Sequence, residues 1–182
     1  MLNSVSVSSP IVSRDAALAA ARPRLEALAR RLVWDTEEAR DVVQGALLEA
    51  IDRWESLRDP NAREGWLKRI VVNRAYSHLR RRRFWNAVGA MLRVAEVESA
   101  PSPDEVMEQR EHRARILAAL EKLPARQAMA FTLRYLESWS FEEVADSMGI
   151  DRGTVRVHVQ RAVTALRAAG VLDPTKETRG PT

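Results

Sequence analysis

No cysteine occurs among the 182 residues, which excludes disulfides and thiolate metal sites and suits a reducing compartment. The three histidines stand far apart without acidic companions at ligand spacing, so no metal centre is expected. No run approaches the roughly 20 apolar residues of a membrane span. Nor does an apolar segment follow a charged start near the first residue, and the expectation is a soluble, cytoplasmic protein without membrane insertion. Alternating apolar and polar positions, the mark of half-buried strands, are missing as well. There is no activated nucleophile and no pair of carboxylates in a metal-binding context, so neither an enzyme nor a cofactor is expected.

What remains is helical pattern and positive charge in one place. The chain carries 29 basic and 25 acidic residues, a net charge of only +4. Nine basic residues against two acidic ones fall between Arg58 and Trp85, which marks a local surface for a polyanion. The periodicity predicts an all-α fold of two small helical domains joined by a flexible linker. Residues 1–14 read as a disordered tail, 15–93 as the first domain, and 94–104, acidic with two prolines, as the linker. The second domain spans 105–170, and 171–182 form a second tail. The apolar stretch Phe84 to Leu92 is compatible with continuing the preceding helix or with docking on a partner.

The stretch from Ser140 to Leu166 reads as a helix, a bend at Gly149 and a second helix capped by Asp151. This is the plan of a helix-turn-helix, which places one helix in the major groove of DNA. At about 100° per residue, Val155, Val159, Ala162 and Leu166 form one stripe of the second helix, with Arg156, Val157, Gln160 and Arg161 opposite. Phe141, Val144, Ala145 and Met148 form the stripe of the first. DNA binding is favoured over a solvated surface helix.

The helix that begins near Ala62 shows two mixed faces. Leu67, Val71, Ala75, His78 and Leu79 share one, while Trp66, Arg69, Ile70, Asn73, Ser77, Arg80 and Arg81 share the other. A stacking ring, hydrogen-bonding side chains and cations together suit single-stranded DNA. Equally, Trp66 and Ile70 can be core beneath solvated arginines, and the residues alone leave both readings standing. On the helix from Thr36 to Trp54, Asp41, Gln44 and Leu48 line up on the far side from Val43, Ala46, Leu47, Ala50 and Trp54. That outward leucine is either a protein-docking spot or an ordinary exposed side chain.

Four segments, DVVQGALLEAIDRW at 41–54, WLKRIVVNRAYSHLRRRR at 66–83, LPARQAMAFTLRYLESWSFEEVADSMGI at 123–150 and GTVRVHVQRAVTAL at 153–166, resemble the extracytoplasmic-function (group 4) sigma factors of bacterial RNA polymerase. The resemblance covers about residues 15–170, in order. It implies a subunit without chemistry of its own. The first domain would clamp onto the largest subunits of core polymerase and open the −10 element, and the second would dock on the flap and read the −35 element. Asp41, Gln44 and Leu48 match the polymerase-docking helix. Asn73 and Ser77 match positions that contact the melted −10 strand, and the loop with Arg58, Asn61 and Arg63 matches the one that receives a flipped base. Trp66, Arg69, Arg80 and Arg81 complete that expected surface. Arg156, Val157, Gln160 and Arg161 match major-groove positions, with Thr154 toward phosphate. Promoter DNA and core polymerase are the implied partners, together with an anti-sigma protein of the kind that family members often have.

Three positions depart from expectation. Val157 stands where many members carry a polar residue, and His158 where arginine is common; by angle His158 lies beside the buried stripe. Gly45 interrupts the docking helix at a cost of roughly 1 kcal/mol against alanine, which points to a partner backbone coming close there. The alternative from another class is a free-standing helix-turn-helix regulator whose first domain binds a ligand or a second copy. The 41–54 and 66–83 segments speak against it.

Overall fold

A computed structural model of the chain describes residues 13–92 and 105–172, and every regular element among them is helical. Of the tails read at 1–14 and 171–182, residues 1–12 and 173–182 lie outside the described residues, as does the linker segment at 94–104, whereas Ser13 and Arg14 already belong to the start of the first helix. Helix α1 (Arg14–Val33) starts behind Ser13, whose hydroxyl oxygen accepts the Ala16 amide at 3.2 Å. Pro23 lies inside it on an exposed position. The chain turns at Trp34 with φ of 62°, and Asp35 caps α2 (Thr36–Asp52) by accepting the Glu38 amide at 2.8 Å. Two short 3₁₀ turns follow, at Trp54–Ser56 and Pro60–Ala62; the Asp59 carboxylate accepts the Asn61 amide at 2.8 Å within the second. Helix α3 (Arg63–Leu92) then runs unbroken for 30 residues, so the Phe84 to Leu92 segment continues the helix.

In the second half α4 (Glu105–Lys122) leads to α5 (Ala125–Phe131), which is prolonged by one π turn at Thr132–Leu136. Ser140 opens α6 (Phe141–Met148) with a reciprocal cap: its hydroxyl oxygen accepts the Glu143 amide at 3.1 Å while the Glu143 carboxylate accepts the Ser140 amide at 2.7 Å. Gly149 takes φ of 64°, a left-handed turn that a side chain would strain. Asp151 then caps α7 (Arg152–Ala168) by accepting the Thr154 amide at 2.8 Å. The expected helix-turn-helix is therefore present, with both ends of its turn chemically fixed.

Leu25, Leu28, Ala29 and Leu32 of α1 are buried with Val43, Ala46 and Ala50 of α2 and with Leu67, Val71, Ala75 and Leu79 of α3. The second half buries Leu120, Met129, Leu133, Val144, Val155, Val159, Ala162 and Leu166. These two sets join into one continuous core. The join runs along a third stripe of α3 that the two-faced reading did not contain: Lys68, Val72, Tyr76 and Arg83. Val72 is fully buried. The Lys68 ammonium lies 5.8 Å from the centre of the Trp139 ring, and the Arg126 guanidinium 5.4 Å from that of Tyr76. Arg83 donates to the Leu120 carbonyl at 3.3 Å, and Arg82 to the Glu121 carboxylate at 3.2 Å. Farther along, Arg31 of α1 grips Glu137 through both carboxylate oxygens.

Candidate nucleic-acid interface

Three surfaces carry the residues singled out in the sequence. On α2, Asp41 and Gln44 are exposed and Leu48 is 57% exposed, with Ile51 beside it on the same helix. The fold leaves more than half of Leu48 and over a third of Ile51 open. The glycine within this helix has a local cause: a methyl group on Gly45 would fall on the Arg74 guanidinium. Arg74 crosses there to donate to Glu49 at 3.0 Å, so within the fold it is a side chain of α3 that comes close to this glycine.

The second surface is α3 with the loop before it. A groove of about 550 Å³ brings Asp41, Ser77 and Arg81 together with Glu38, Arg74 and His78, so the outward row of α2 and the α3 face share an edge. His78 and Arg82 both reach the Glu38 carboxylate, at 3.0 and 2.7 Å. Nearer the start of α3, Arg58, Trp66 and Arg69 line a cleft of about 760 Å³ whose opposite wall is Trp139, Glu143 and Asp146. Arg63 stacks 5.7 Å over Trp54, which meets Trp66 edge to face at 6.2 Å. Asn61 and Arg63 border a separate hollow against α1. Ile70 is only 4% exposed and Trp66 is half-buried, so the apolar part of this face is packed and not a free stacking platform. Arg69, Asn73, Ser77, Arg80 and Arg81 are exposed. Asn73 also borders a narrow void with Tyr76, Arg126, Met129 and Met148, which places the second half of the chain directly beside it.

The third surface is α7. Val155, Val159, Ala162 and Leu166 are buried as the periodicity requires, and Arg156, Val157, Gln160 and Arg161 are exposed. Val157 keeps 43% of its surface open, and with Gln160, Arg161 and Thr164 it lines a shallow concavity of about 440 Å³. Arg156 lies 5.3 Å over the Phe141 ring, whose surroundings include Arg134 at 4.7 Å. The Thr154 hydroxyl donates to Asp151, and this bond with the Thr154 amide holds the Asp151 carboxyl below its ordinary range. The hydroxyl thus serves the helix cap. His158 is half-buried with both ring nitrogens enclosed and unpartnered; burial, then the charges of Arg126 and Arg161, push its pKa down.

Among the described residues no group of His, Asp and Glu is gathered to hold a metal ion, and no helix is long and apolar enough to cross a membrane. The sequence reading missed the third stripe of α3 and its partners Glu137 and Trp139. Val72 and Tyr76, four residues apart and on neither assigned face, were the available signal.

Residues 18–84 match the sigma-70 region 2 family and residues 113–166 the sigma-70 region 4 family. The RNA polymerase sigma-E factor of Streptomyces coelicolor is 35% identical, with 80% of this chain and 81% of that protein covered. The extracytoplasmic-function RNA polymerase sigma factor SigL of Mycobacterium tuberculosis is 34% identical over 76% of this chain and 78% of its own. Among solved structures, the sigma factor RpoE of Bartonella quintana in complex with the anti-sigma factor NepR superposes with a TM-score of 0.60 at 26% identity, covering 87% of this chain and 97% of that one.

Proposed function

The chain belongs to the extracytoplasmic-function sigma factors of bacterial RNA polymerase and is thus an alternative sigma factor for promoter-specific transcription initiation, and we propose how its surfaces divide that work. Residues 15–93 dock on core polymerase through Asp41, Gln44 and Leu48, and hold the melted −10 strand with Asn73, Ser77 and the cations around them. Residues 105–170 read the −35 element through Arg156, Val157, Gln160 and Arg161. The protein acts in the cytoplasm beside polymerase and carries no chemistry of its own. The observation that supports this division is the separation of core from exposed residues on α7: four side chains face outward from a helix whose inner stripe is wholly buried.

Reconstitution tests it. Core polymerase with this chain should give discrete transcript starts preceded by a shared pair of elements, and core alone should not. Asn73→Ala should weaken open-complex formation on duplex promoters and be partly rescued on a pre-melted template. Equal loss on both would make Asn73 structural. DNA binding without any association with core would favour the free-standing regulator instead. An anti-sigma protein is proposed as a further partner because the Bartonella quintana relative was solved with one and because Leu48 and Ile51 leave an apolar patch open. Pull-down from the native host under non-inducing conditions should recover it; polymerase alone would count against it.

A further inference from the structure

The two arginines in the outward row of α7 differ in how they are held. The Arg156 guanidinium lies 5.3 Å from the centre of the Phe141 ring, whereas among the described residues Arg161 lies over no ring. That ring is itself fixed. Phe141 is the first residue of α6, directly behind the Ser140 cap, and it is half-buried against the core. The guanidinium of the buried Arg134 lies 4.7 Å from the same ring and donates to the Trp139 carbonyl at 2.8 Å. The arrangement is thus tied to backbone at Arg134 and open to solvent at Arg156.

No carboxylate bridges Arg156 among the described residues, and that of Glu142, the residue after Phe141, is taken by Arg152 at 2.6 Å. A carboxylate would occupy the N–H fork of a guanidinium. An aromatic ring attracts the same cation through its π cloud and leaves the fork to another acceptor. A free arginine has large rotamer entropy, and one already ordered loses less of it on binding. Phosphate is served by a mobile point charge, whereas the two acceptors on the major-groove edge of guanine need a planar fork in one orientation. Arg156 stands fifth in α7, in the half of a recognition helix that meets base edges. An arginine immobilised there with its donors open suits a base.

We propose that Phe141 is a positioning residue for −35 recognition, which holds the Arg156 guanidinium so that its fork meets one guanine. The inference rests on the proposed reading of the −35 element by α7. It adds a specificity determinant on α6, outside the outward row.

The test uses holoenzyme reconstituted with the full chain and duplex promoters carrying each single-base change in the −35 element. The wild type should prefer guanine at one position by roughly tenfold or more, and Arg156→Ala should remove that preference. Phe141→Leu keeps an apolar side chain without the ring; it should lower the same preference by about three- to tenfold and leave those at the other positions unchanged. Phe141→Tyr, which keeps the ring, should retain it. Added to Arg156→Ala, Phe141→Leu should cost nothing more, because the ring acts through the arginine. An unchanged guanine preference in folded Phe141→Leu, or an equal loss with and without Arg156, would overturn the proposal. So would an Arg156→Ala variant that binds every sequence more weakly by one factor, since Arg156 then contacts phosphate while Val157 and Gln160 still read bases. Failure of the −35 reading has a different signature: no substitution in the outward row of α7 would alter any −35 preference.

Discussion

Replacing Leu48 with glutamate separates docking from folding. Fully burying a leucine stabilises a fold by about 1.5–3 kcal/mol. Leu48 is 57% exposed, so the fold retains less than half of that, about 1 kcal/mol. Glutamate is nearly as good a helix former, and its new neighbour Asp52, four residues on, adds a like-charge cost of about 0.2–0.5 kcal/mol. The folding penalty is therefore about 1–1.5 kcal/mol, a fall of a few degrees in the melting temperature of a chain of this size. Docking is affected far more. The open part of the leucine would no longer be buried by polymerase, and a carboxylate would enter an apolar contact without a partner, at a cost of several kcal/mol. Together these weaken core binding by about 3–5 kcal/mol, or roughly 200- to 4,000-fold. Circular dichroism should show unchanged helix content, and titration of labelled core polymerase should show the loss. An affinity within twofold of the wild type, in a folded variant, would refute the docking assignment of Asp41, Gln44 and Leu48.

Three further outcomes follow from single side chains. Val157→Ser should reduce a thymine preference at one −35 position without changing the salt dependence of binding, since only a methyl contact is lost; if no thymine-to-uracil swap in the −35 element weakens the wild type, that contact is absent. Gly45→Ala should leave stability unchanged or raise it by up to about 1 kcal/mol, because the helix gain offsets displacement of an exposed Arg74–Glu49 pair; chemical denaturation showing a loss above that size would mean Arg74 cannot move aside. His158 resists protonation in the fold, so its contribution to stability is present above its ordinary pKa near 6.5 and lost as pH falls below it; His158→Gln should flatten the decline in melting temperature between about pH 7 and 5, and an unaltered slope would remove His158 as its source.

The helix-turn-helix was legible because each signal is local: a cap at Asp151, a glycine able to take φ of 64°, and apolar stripes three and four residues apart. The reciprocal cap of Ser140 and Glu143 carried an equally local signature. The join between the two halves was not legible, because it depends on which side of α3 meets which distant helix. Arg31 and Glu137 lie 106 positions apart, and nothing near either of them announces the other. Ile70 was ambiguous for the same reason. An apolar residue among polar ones at helical spacing is a stacking surface or a seam depending on what covers it, and here it is buried. Gly45 was read as room for a partner backbone, and the neighbour that the fold itself places there, the Arg74 side chain, comes from another helix and left no local sign.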